Sequence, residues 1–287
     1  MVLLTLLALL TTPTVRDIQV ATGEVLRTTS VGNGPAVVLV PGMVGSAFAF
    51  RKLIPALEAN GLRVVVIEPL GVGWSSRPGQ ADYSLTAQAG RVAAVMDSLG
   101  LQGATVMGHS LGVSIVLRLA LLRPDLVRGI VANNGGPEER AATSGVRKAA
   151  KYAFLIKLFG GTGRLRKELE KGLRNTAGDS TWITREVLEA YSAPAARDLG
   201  ATLDVLKGMT RAKDDSLAPR LGSIAVPVHL LIGGAPRGSG INATHSAALR
   251  ARLPHLVVDT IPGAGLHIHE EQPGVVAGAV LAMAGRN

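Results

Sequence analysis

The chain lacks cysteine altogether and is poor in aromatic side chains. Among its 287 residues there is no cysteine, and only 3% are Phe, Trp or Tyr. The missing cysteine excludes disulfides, thiol nucleophiles and cysteine-ligated zinc, although it leaves the cellular compartment open. The scarcity of aromatic residues leaves few platforms on which single-stranded nucleic acid could stack.

Acidic residues are scarce relative to basic ones, and the excess of positive charge is local. The formal net charge is +9, and the segment Arg140–Arg174 holds ten Lys or Arg against two Glu. No nucleic-acid recognition motif accompanies this segment, so we expect no nucleic-acid partner. A solvated helix over Ser144–Phe159 is the simpler interpretation of the basic residues. Contact with an anionic membrane surface or an anionic substrate is the alternative.

A long apolar run is also missing. Residues 1–10 (MVLLTLLALL) are apolar, but no Lys or Arg precedes the run and no clear cleavage site follows it. Such a run is too short to span a bilayer, which needs about 20 residues. Residues 1–14 therefore form either an apolar arm or the remnant of a signal sequence. The first case is compatible with the bacterial cytoplasm, and the second implies a secreted or membrane-associated protein.

The chain does contain a regular alternation of apolar runs and helical spacing. Helical spacing occurs at 85–99, 111–122 and 244–253, between apolar runs of strand length. This alternation predicts an α/β fold with a mostly parallel sheet and helices on both faces, opened by an antiparallel hairpin at 17–30. The predicted strands are Ala36–Val40, Arg63–Ile67, Ala104–Met107, Gly129–Ala132, Val228–Ile232 and Leu256–Ile261.

One interval interrupts this alternation. From residue 138 to 215 the sequence has helical patterns but no convincing strand. We therefore predict a helical cap over 138–215, inserted into a core formed by 15–137 and 216–287.

The motif Gly108-His109-Ser110-Leu111-Gly112 is the principal candidate for chemistry. A Gly-x-Ser-x-Gly match alone is weak evidence, but here an apolar strand precedes it and an apolar helix follows. The two glycines remove side chains that would collide with a strained turn. The hydroxyl of Ser110 would then lie at a helix N-terminus, where backbone N–H groups stabilise negative charge.

At this point the sequence resembles the α/β-hydrolase superfamily. Val40–Ser46 is similar to the family's oxyanion loop, with Pro41 where His is common. The resemblance implies that Ser110 is the nucleophile of an esterase and that the backbone N–H groups of Met43 and Leu111 form the oxyanion hole. It further implies a small apolar ester as substrate, with no cofactor and no metal. Such a hole contributes about 3 kcal/mol per donor to the transition state.

The general base is assigned by the same resemblance. Pro262–Pro273 is similar to the family's last strand-to-helix loop, in which a His follows Gly and a Pro lies seven residues beyond. Aligned on Pro273 without a gap, that position is Leu266. A one-residue deletion after His267 restores the match and makes His267 the base. We expect His269 to be a surface side chain at a helix N-terminus, and His245 and His255 to be exposed.

The residue that orients the base has no clear occupant. The usual acid follows the strand ending near Ile232, but Arg237 stands where Asp is expected. Some members of the superfamily place the acid after the strand that follows the nucleophile helix. Here that region offers Asn133, Asn134 and Glu138. A simple turn followed by a helix-capping Glu138 is an equally good interpretation.

These features predict a serine carboxylic ester hydrolase. Two alternatives stay open: a ligand-binding protein that has lost hydrolysis, favoured by Leu266 and Arg237, and a lyase or cyclase that uses His267 without an acyl-enzyme. Fold alone does not choose among them.

Overall fold

The computed structural model describes residues 11–142, 146–147, 150, 161–213, 215–236, 241 and 243–286. The strands are β1 (Thr14–Ala21), β2 (Glu24–Val31), β3 (Ala36–Val40), β4 (Arg63–Ile67), β5 (Ala104–His109), β6 (Val127–Asn133), β7 (Val228–Gly233) and β8 (Leu256–Ile261). The α-helices are α1 (Ile54–Ala59), α2 (Leu85–Ser98), α3 (Leu111–Leu122), α4 (Gly161–Thr176), α5 (Arg185–Arg197), α6 (Leu199–Arg211), α7 (Ala243–Arg252), α8 (Ile268–Glu271) and α9 (Pro273–Met283).

All eight strands form one sheet in the order β1-β2-β4-β3-β5-β6-β7-β8. The hairpin of β1 and β2 is antiparallel and joins β4 in antiparallel orientation, whereas every pairing from β4 to β8 is parallel. The predicted fold class, a mostly parallel sheet with helices, is confirmed. Because the carboxyl ends of parallel strands share one edge, the loops after β3, β5, β6 and β8 meet there.

The sheet is buried on both faces, which explains its continuous apolar strands. Along β3, Val37 and Leu39 belong to one buried cluster, while Val38 and Val40 belong to another on the opposite face. Successive side chains of a strand point to opposite faces, so a strand covered on both sides needs apolar residues at every position.

Between β6 and β7 the described residues form helices and no strand. We call α4, α5 and α6 the helical insertion. Thr184 begins α5 by accepting a hydrogen bond from the Val187 N–H, and Asp198 begins α6 in the same way with Ala201. The predicted division at 138 and 215 stays a prediction. Most of the basic helix predicted at 144–159, the apolar residues 1–10 and Arg237 lie outside the described residues.

One buried arginine joins the two ends of the segment 138–215. Arg118 of α3 is 1% exposed, and its guanidinium donates to the backbone carbonyls of Glu138 at 3.0 Å and Asp215 at 2.5 Å. It also pairs with the Asp215 carboxylate at 2.7 Å. Arg118 therefore holds the predicted start and the predicted end of the cap together.

None of the helices in the described part of the chain is both long and apolar enough to cross a membrane. Contact of residues 1–14 or of the basic segment with a membrane surface stays a prediction.

Candidate active site

Ser110 lies in a strained turn between β5 and α3. Its backbone has φ 52° and ψ −118°, a conformation that residues other than glycine rarely adopt. The flanking glycines make the turn possible, because a Cβ on Gly108 would lie 2.5 Å from the Gly112 backbone and one on Gly112 would lie 2.4 Å from the Val40 carbonyl. The Ser110 N–H donates to the Asn133 carbonyl at 3.1 Å, which fixes the turn to the end of β6.

The loop after β3 packs directly on this turn. A Cβ on Gly42 would lie 3.2 Å from the Ser110 Cβ, so only glycine allows such a close approach without displacing the serine. Leu111 is the first residue of α3, and the first N–H groups of a helix have no acceptor within it. Among the described residues neither the Met43 nor the Leu111 N–H donates to a backbone carbonyl outside the regular elements. Their role as an oxyanion hole stays a prediction.

Glu68 joins the loop after β3 to the turn after β4. The Glu68 carboxylate is buried and accepts from the Ala47 N–H at 2.9 Å and from the Trp74 N–H at 2.5 Å. Burial raises the pKa of this carboxyl, and the two backbone donors work against that shift. Glu68 is therefore fully engaged in holding two turns together.

His267 lines the same pocket as Ser110 but is not joined to it. The ring is 4% exposed, and its Nδ1 is buried without a hydrogen-bond partner. Of the hydrogen bonds between described residues, none links the Ser110 hydroxyl to His267. The indole of Trp182 packs on the imidazole with ring centroids 5.4 Å apart. The structure thus brings the predicted nucleophile and the predicted base into one cavity, with no acceptor beside the Nδ1 atom of the imidazole.

The prediction that His269 is a surface side chain is wrong, because this residue is 1% exposed. Its ring packs between Phe50 and His109, with centroids 5.4 Å and 4.4 Å away. The amide nitrogen of Asn133 lies 3.0 Å from its Nδ1, while its Nε2 is buried without a partner. The residue stands at the beginning of a short helix as expected, but that helix lies beneath the pocket.

His109, which precedes the nucleophile, completes a cluster of three buried imidazoles. Its Nε2 lies 3.1 Å from the Leu266 carbonyl, so this nitrogen carries the proton. Burial lowers the pKa of His109 to about 4. Burial likewise holds the pKa of His267 and of His269 well below the usual range, and the neighbouring imidazoles lower both further. All three rings are therefore neutral at physiological pH.

The three candidates for the orienting residue have other partners. Asn133 contacts His269, not His267, and the side-chain amide of Asn134 donates to the Gly265 carbonyl at 2.8 Å. The Glu138 carboxylate lies 3.5 Å from His245, which is partly buried, so our expectation of an exposed side chain there is wrong. His255 is exposed as expected. The structure does not bring any of these three candidates against His267.

Two carboxylates beside the histidines serve a different purpose. Glu270 is buried and forms an ion pair with Arg51 and a 2.8 Å hydrogen bond with the Tyr191 hydroxyl of α5. Glu271 accepts from the backbone N–H groups of Gly178 and Gly265 at 2.9 Å and 3.0 Å. The Tyr191 hydrogen bond fastens the histidine loop to the helical insertion, and the Arg51 and Gly178 contacts fasten it to the segments after β3 and after α4. Sequence reasoning missed these long-range contacts, since Tyr191 and Arg51 lie 79 and 219 residues from Glu270.

The pocket above Ser110 has a volume of about 440 Å³. Gly42, Met43, Ser110 and Leu266 contribute its floor, and the helical insertion contributes its roof. The roof is mostly apolar, although Glu168, Ser192 and Thr202 also line it; its apolar residues include Leu165, Leu169, Leu173, Pro194, Val205 and Leu206. A cavity of this size and lining suits a small apolar molecule.

A family model of the α/β hydrolase fold matches residues 35–263. The chain therefore belongs to the α/β-hydrolase family, in agreement with its strand order and its nucleophile turn.

Some known relatives match this chain over a short stretch, and others match over most of their length. The bifunctional epoxide hydrolase 2 of Sus scrofa is 36% identical over 113 residues, which are 39% of this chain but only 20% of that protein. The magnesium-chelatase 30 kDa subunit of Rhodobacter capsulatus is 29% identical over 263 residues, 88% of each chain. Among solved structures, the epoxide hydrolase CorEH aligns with a TM-score of 0.77 at 19% identity, covering 96% of this chain and 99% of that one. The last comparison shows the fold alone.

Proposed function

We propose that this protein hydrolyses a small apolar carboxylic ester through an acyl-enzyme on Ser110, with His267 as the general base. The backbone N–H groups of Met43 and Leu111 would stabilise the oxyanion, and the helical insertion would act as a cap over the acyl group. The observation that carries the proposal is the strained Ser110 turn at the floor of an apolar pocket that also contains His267.

The serine favours an ester over an epoxide as substrate. An epoxide opened by a serine hydroxyl would leave an alkyl ether, which water does not cleave under mild conditions. An acyl-serine is an ester, and a second cycle with water releases it. The similarity to epoxide hydrolases therefore supports the family and not that reaction.

In the proposed reaction His267 takes the Ser110 proton as Oγ attacks the carbonyl carbon, and the oxyanion forms beside Met43 and Leu111. Collapse breaks the bond to the leaving alkoxide, which receives the proton from His267. Water then attacks the acyl-serine in the same manner. Because the buried His267 Nδ1 has no partner to stabilise the imidazolium, we expect slow turnover; such a partner contributes up to about 10⁴ in rate.

That same unpartnered nitrogen favours a second candidate, a protein that binds an apolar ligand without cleaving it. One relative that matches over most of its length is named as a subunit of a magnesium chelatase, whereas another, named as a diacylglycerol lipase, matches over 77% of its own length. In this case the pocket would retain its ligand and Ser110 would be unreactive.

Short p-nitrophenyl esters and a fluorophosphonate probe distinguish the candidates. We expect the probe to label wild-type protein at Ser110, and Ser110→Ala and His267→Asn to abolish both labelling and turnover. His255→Asn, at an exposed position, is the matched control and should behave as wild type. Intact wild-type protein that is neither labelled nor active would contradict the esterase. Activity that needs His267 but not Ser110 would point to a lyase.

A further inference from the structure

The three buried imidazoles of the site converge on one point. One ring nitrogen from each of His109, His267 and His269 lies within 4.8 Å of the corresponding nitrogen of the other two. The three residues are 6%, 4% and 1% exposed, and all three line the pocket that contains Ser110. Each neutral imidazole brings one N–H donor and one lone pair that can accept a hydrogen bond or bind a metal ion.

Two nitrogens of this cluster are buried with no partner, namely Nδ1 of His267 and Nε2 of His269. A buried polar atom without a partner is costly, and in a pocket it can bind an atom of a ligand. Each neutral ring can place its lone pair on the unpartnered nitrogen, where a metal ion accepts it.

One outer contact of the cluster matches that of a histidine metal site, and a second does so after a rotation of the Asn133 amide. The Nε2–H of His109 donates to the Leu266 carbonyl, which leaves Nδ1 of His109 free to act as a ligand. Asn133 holds Nδ1 of His269, and its own Oδ1 is buried without a partner. A half-turn of that amide would let Oδ1 accept from Nδ1–H, and Nε2 of His269 would then be free to bind an ion.

We propose that His109, His267 and His269 bind a divalent transition-metal ion such as Zn²⁺, and that the bound ion switches off ester hydrolysis at Ser110. The inhibitory half rests on the proposed function, because it assumes that His267 is the base. A metal-bound imidazole has donated its lone pair and no longer accepts the serine proton. The site is thus a reversible inhibitory site and not a requirement for catalysis.

The ligand set selects the ion. Three neutral imidazoles suit Zn²⁺, Ni²⁺ or Cu²⁺, whereas Mg²⁺ requires oxygen ligands that the cluster does not offer. Ligand nitrogens around tetrahedral zinc lie about 3.4 Å apart, given Zn–N bonds of about 2.0–2.1 Å. Closing from 4.8 Å requires ring rotations that move the widest pair by roughly 1.4 Å. The pocket would supply the fourth position.

Calorimetric titration of untagged Ser110→Ala protein tests the site independently of hydrolysis. We expect one Zn²⁺ per chain, no binding of Mg²⁺, and visible bands of tetrahedral Co²⁺ when cobalt replaces zinc. Replacing any one of the three histidines by Asn should weaken binding more than about 100-fold, the upper end of the loss for an outer-shell residue. Asn133→Ala, which removes no ligand, should weaken it by about 10- to 100-fold. His255→Asn should leave it unchanged.

Circular dichroism and thermal unfolding establish that each variant is folded. In wild-type protein, Zn²⁺ should inhibit ester hydrolysis at the concentration at which it binds, and a chelator should restore the rate. Absence of stoichiometric binding, or binding that persists in His267→Asn and His269→Asn, would overturn the metal site whatever the esterase assay shows. Binding without inhibition of an active enzyme would overturn the inhibitory half. A wild-type protein that binds zinc but hydrolyses no ester would refute the proposed function and leave the metal site standing.

Discussion

The turn that carries Ser110 and the loop that carries His267 face one pocket, yet they are held in different ways. Backbone packing holds the turn: glycines at 108 and 112 allow contact with neighbouring main chain, and β6 accepts the Ser110 N–H. In the histidine loop, buried side chains add to backbone contacts: Glu270, Glu271 and Asn134 bond to it, and the Leu266 N–H donates to the Thr176 carbonyl at 2.7 Å. The difference teaches that glycines define the Ser110 turn, whereas the histidine loop also depends on buried polar side chains that contact distant elements.

The sharpest test of the backbone-held half is Gly108→Ala. Its Cβ would lie 2.5 Å from the Gly112 carbonyl, and no flexible side chain is available to give way. We expect a loss of more than about 4 kcal/mol in unfolding free energy, measured by urea titration. Gly90→Ala in α2 is the matched control: nothing lies within 4 Å of its Cβ, so it should stabilise the helix by roughly 0.5–1 kcal/mol. Similar effects at both positions would contradict this account of the turn.

Acid should lower the unfolding free energy through the three buried histidines of the site. The folded-state pKa of His109 is about 4, below the ordinary value of 6.5, so unfolded chains bind the proton more tightly. Stability from this residue is complete above pH 6.5 and is lost as the pH falls toward 4. The loss is roughly 3 kcal/mol from His109, and His267 and His269 add to it in the same direction. Urea unfolding between pH 7 and pH 4.5 measures it. His109→Asn should flatten the profile; an unchanged slope would refute the assignment.

Glu270→Gln tests the attachment of the histidine loop to Arg51 and the helical insertion. The variant keeps the shape of the side chain but removes the buried negative charge that faces Arg51. We expect a loss of about 2 kcal/mol, typical of charge-assisted hydrogen bonds. Glu189→Gln, whose side chain is 43% exposed beside Arg185, should change unfolding free energy by less than about 1 kcal/mol. If both variants lose the same amount, the loop does not depend on its buried ion pair.

The smallest effect is expected at Asn134, which has φ 51° and holds the Gly265 carbonyl. Asn134→Gly and Asn134→Ala both remove the hydrogen bond, but only the Ala variant has a Cβ that makes a positive φ unfavourable. We expect the Ala variant to be less stable than the Gly variant by about 1 kcal/mol in thermal unfolding. Equal stability would show that the positive φ at this position is not a constraint.

The sequence predicts most of the fold because strand signals are local. β3, β4 and β8 begin and end at the predicted residues, as does α3, since apolar runs and helical spacing are properties of neighbouring residues. The conformation of Ser110 was predictable for the same reason, given the two glycines around it.

The histidine loop was not predictable in this way. His269 is buried because Phe50 and His109, both distant in sequence, enclose it. Glu138 lies beside His245 because the chain after β6 turns toward α7. Whether a polar side chain is buried depends on the residues that pack over it. These residues are often distant in sequence, so the local sequence does not predict the burial.

Arg118 gives the roof of the pocket a property of its own. The Arg118 guanidinium bonds to both Glu138 and Asp215, which we call the anchors. Because these two residues are held directly to α3, their positions do not depend on the length of chain between them. Lengthening a closed loop adds little to its entropy cost, about 0.6 kcal/mol for each doubling. We therefore expect a longer or shorter stretch between the anchors to reshape the cavity and to leave the Ser110 turn intact, whereas the histidine loop, which contacts Thr176 and Tyr191, should lose its support.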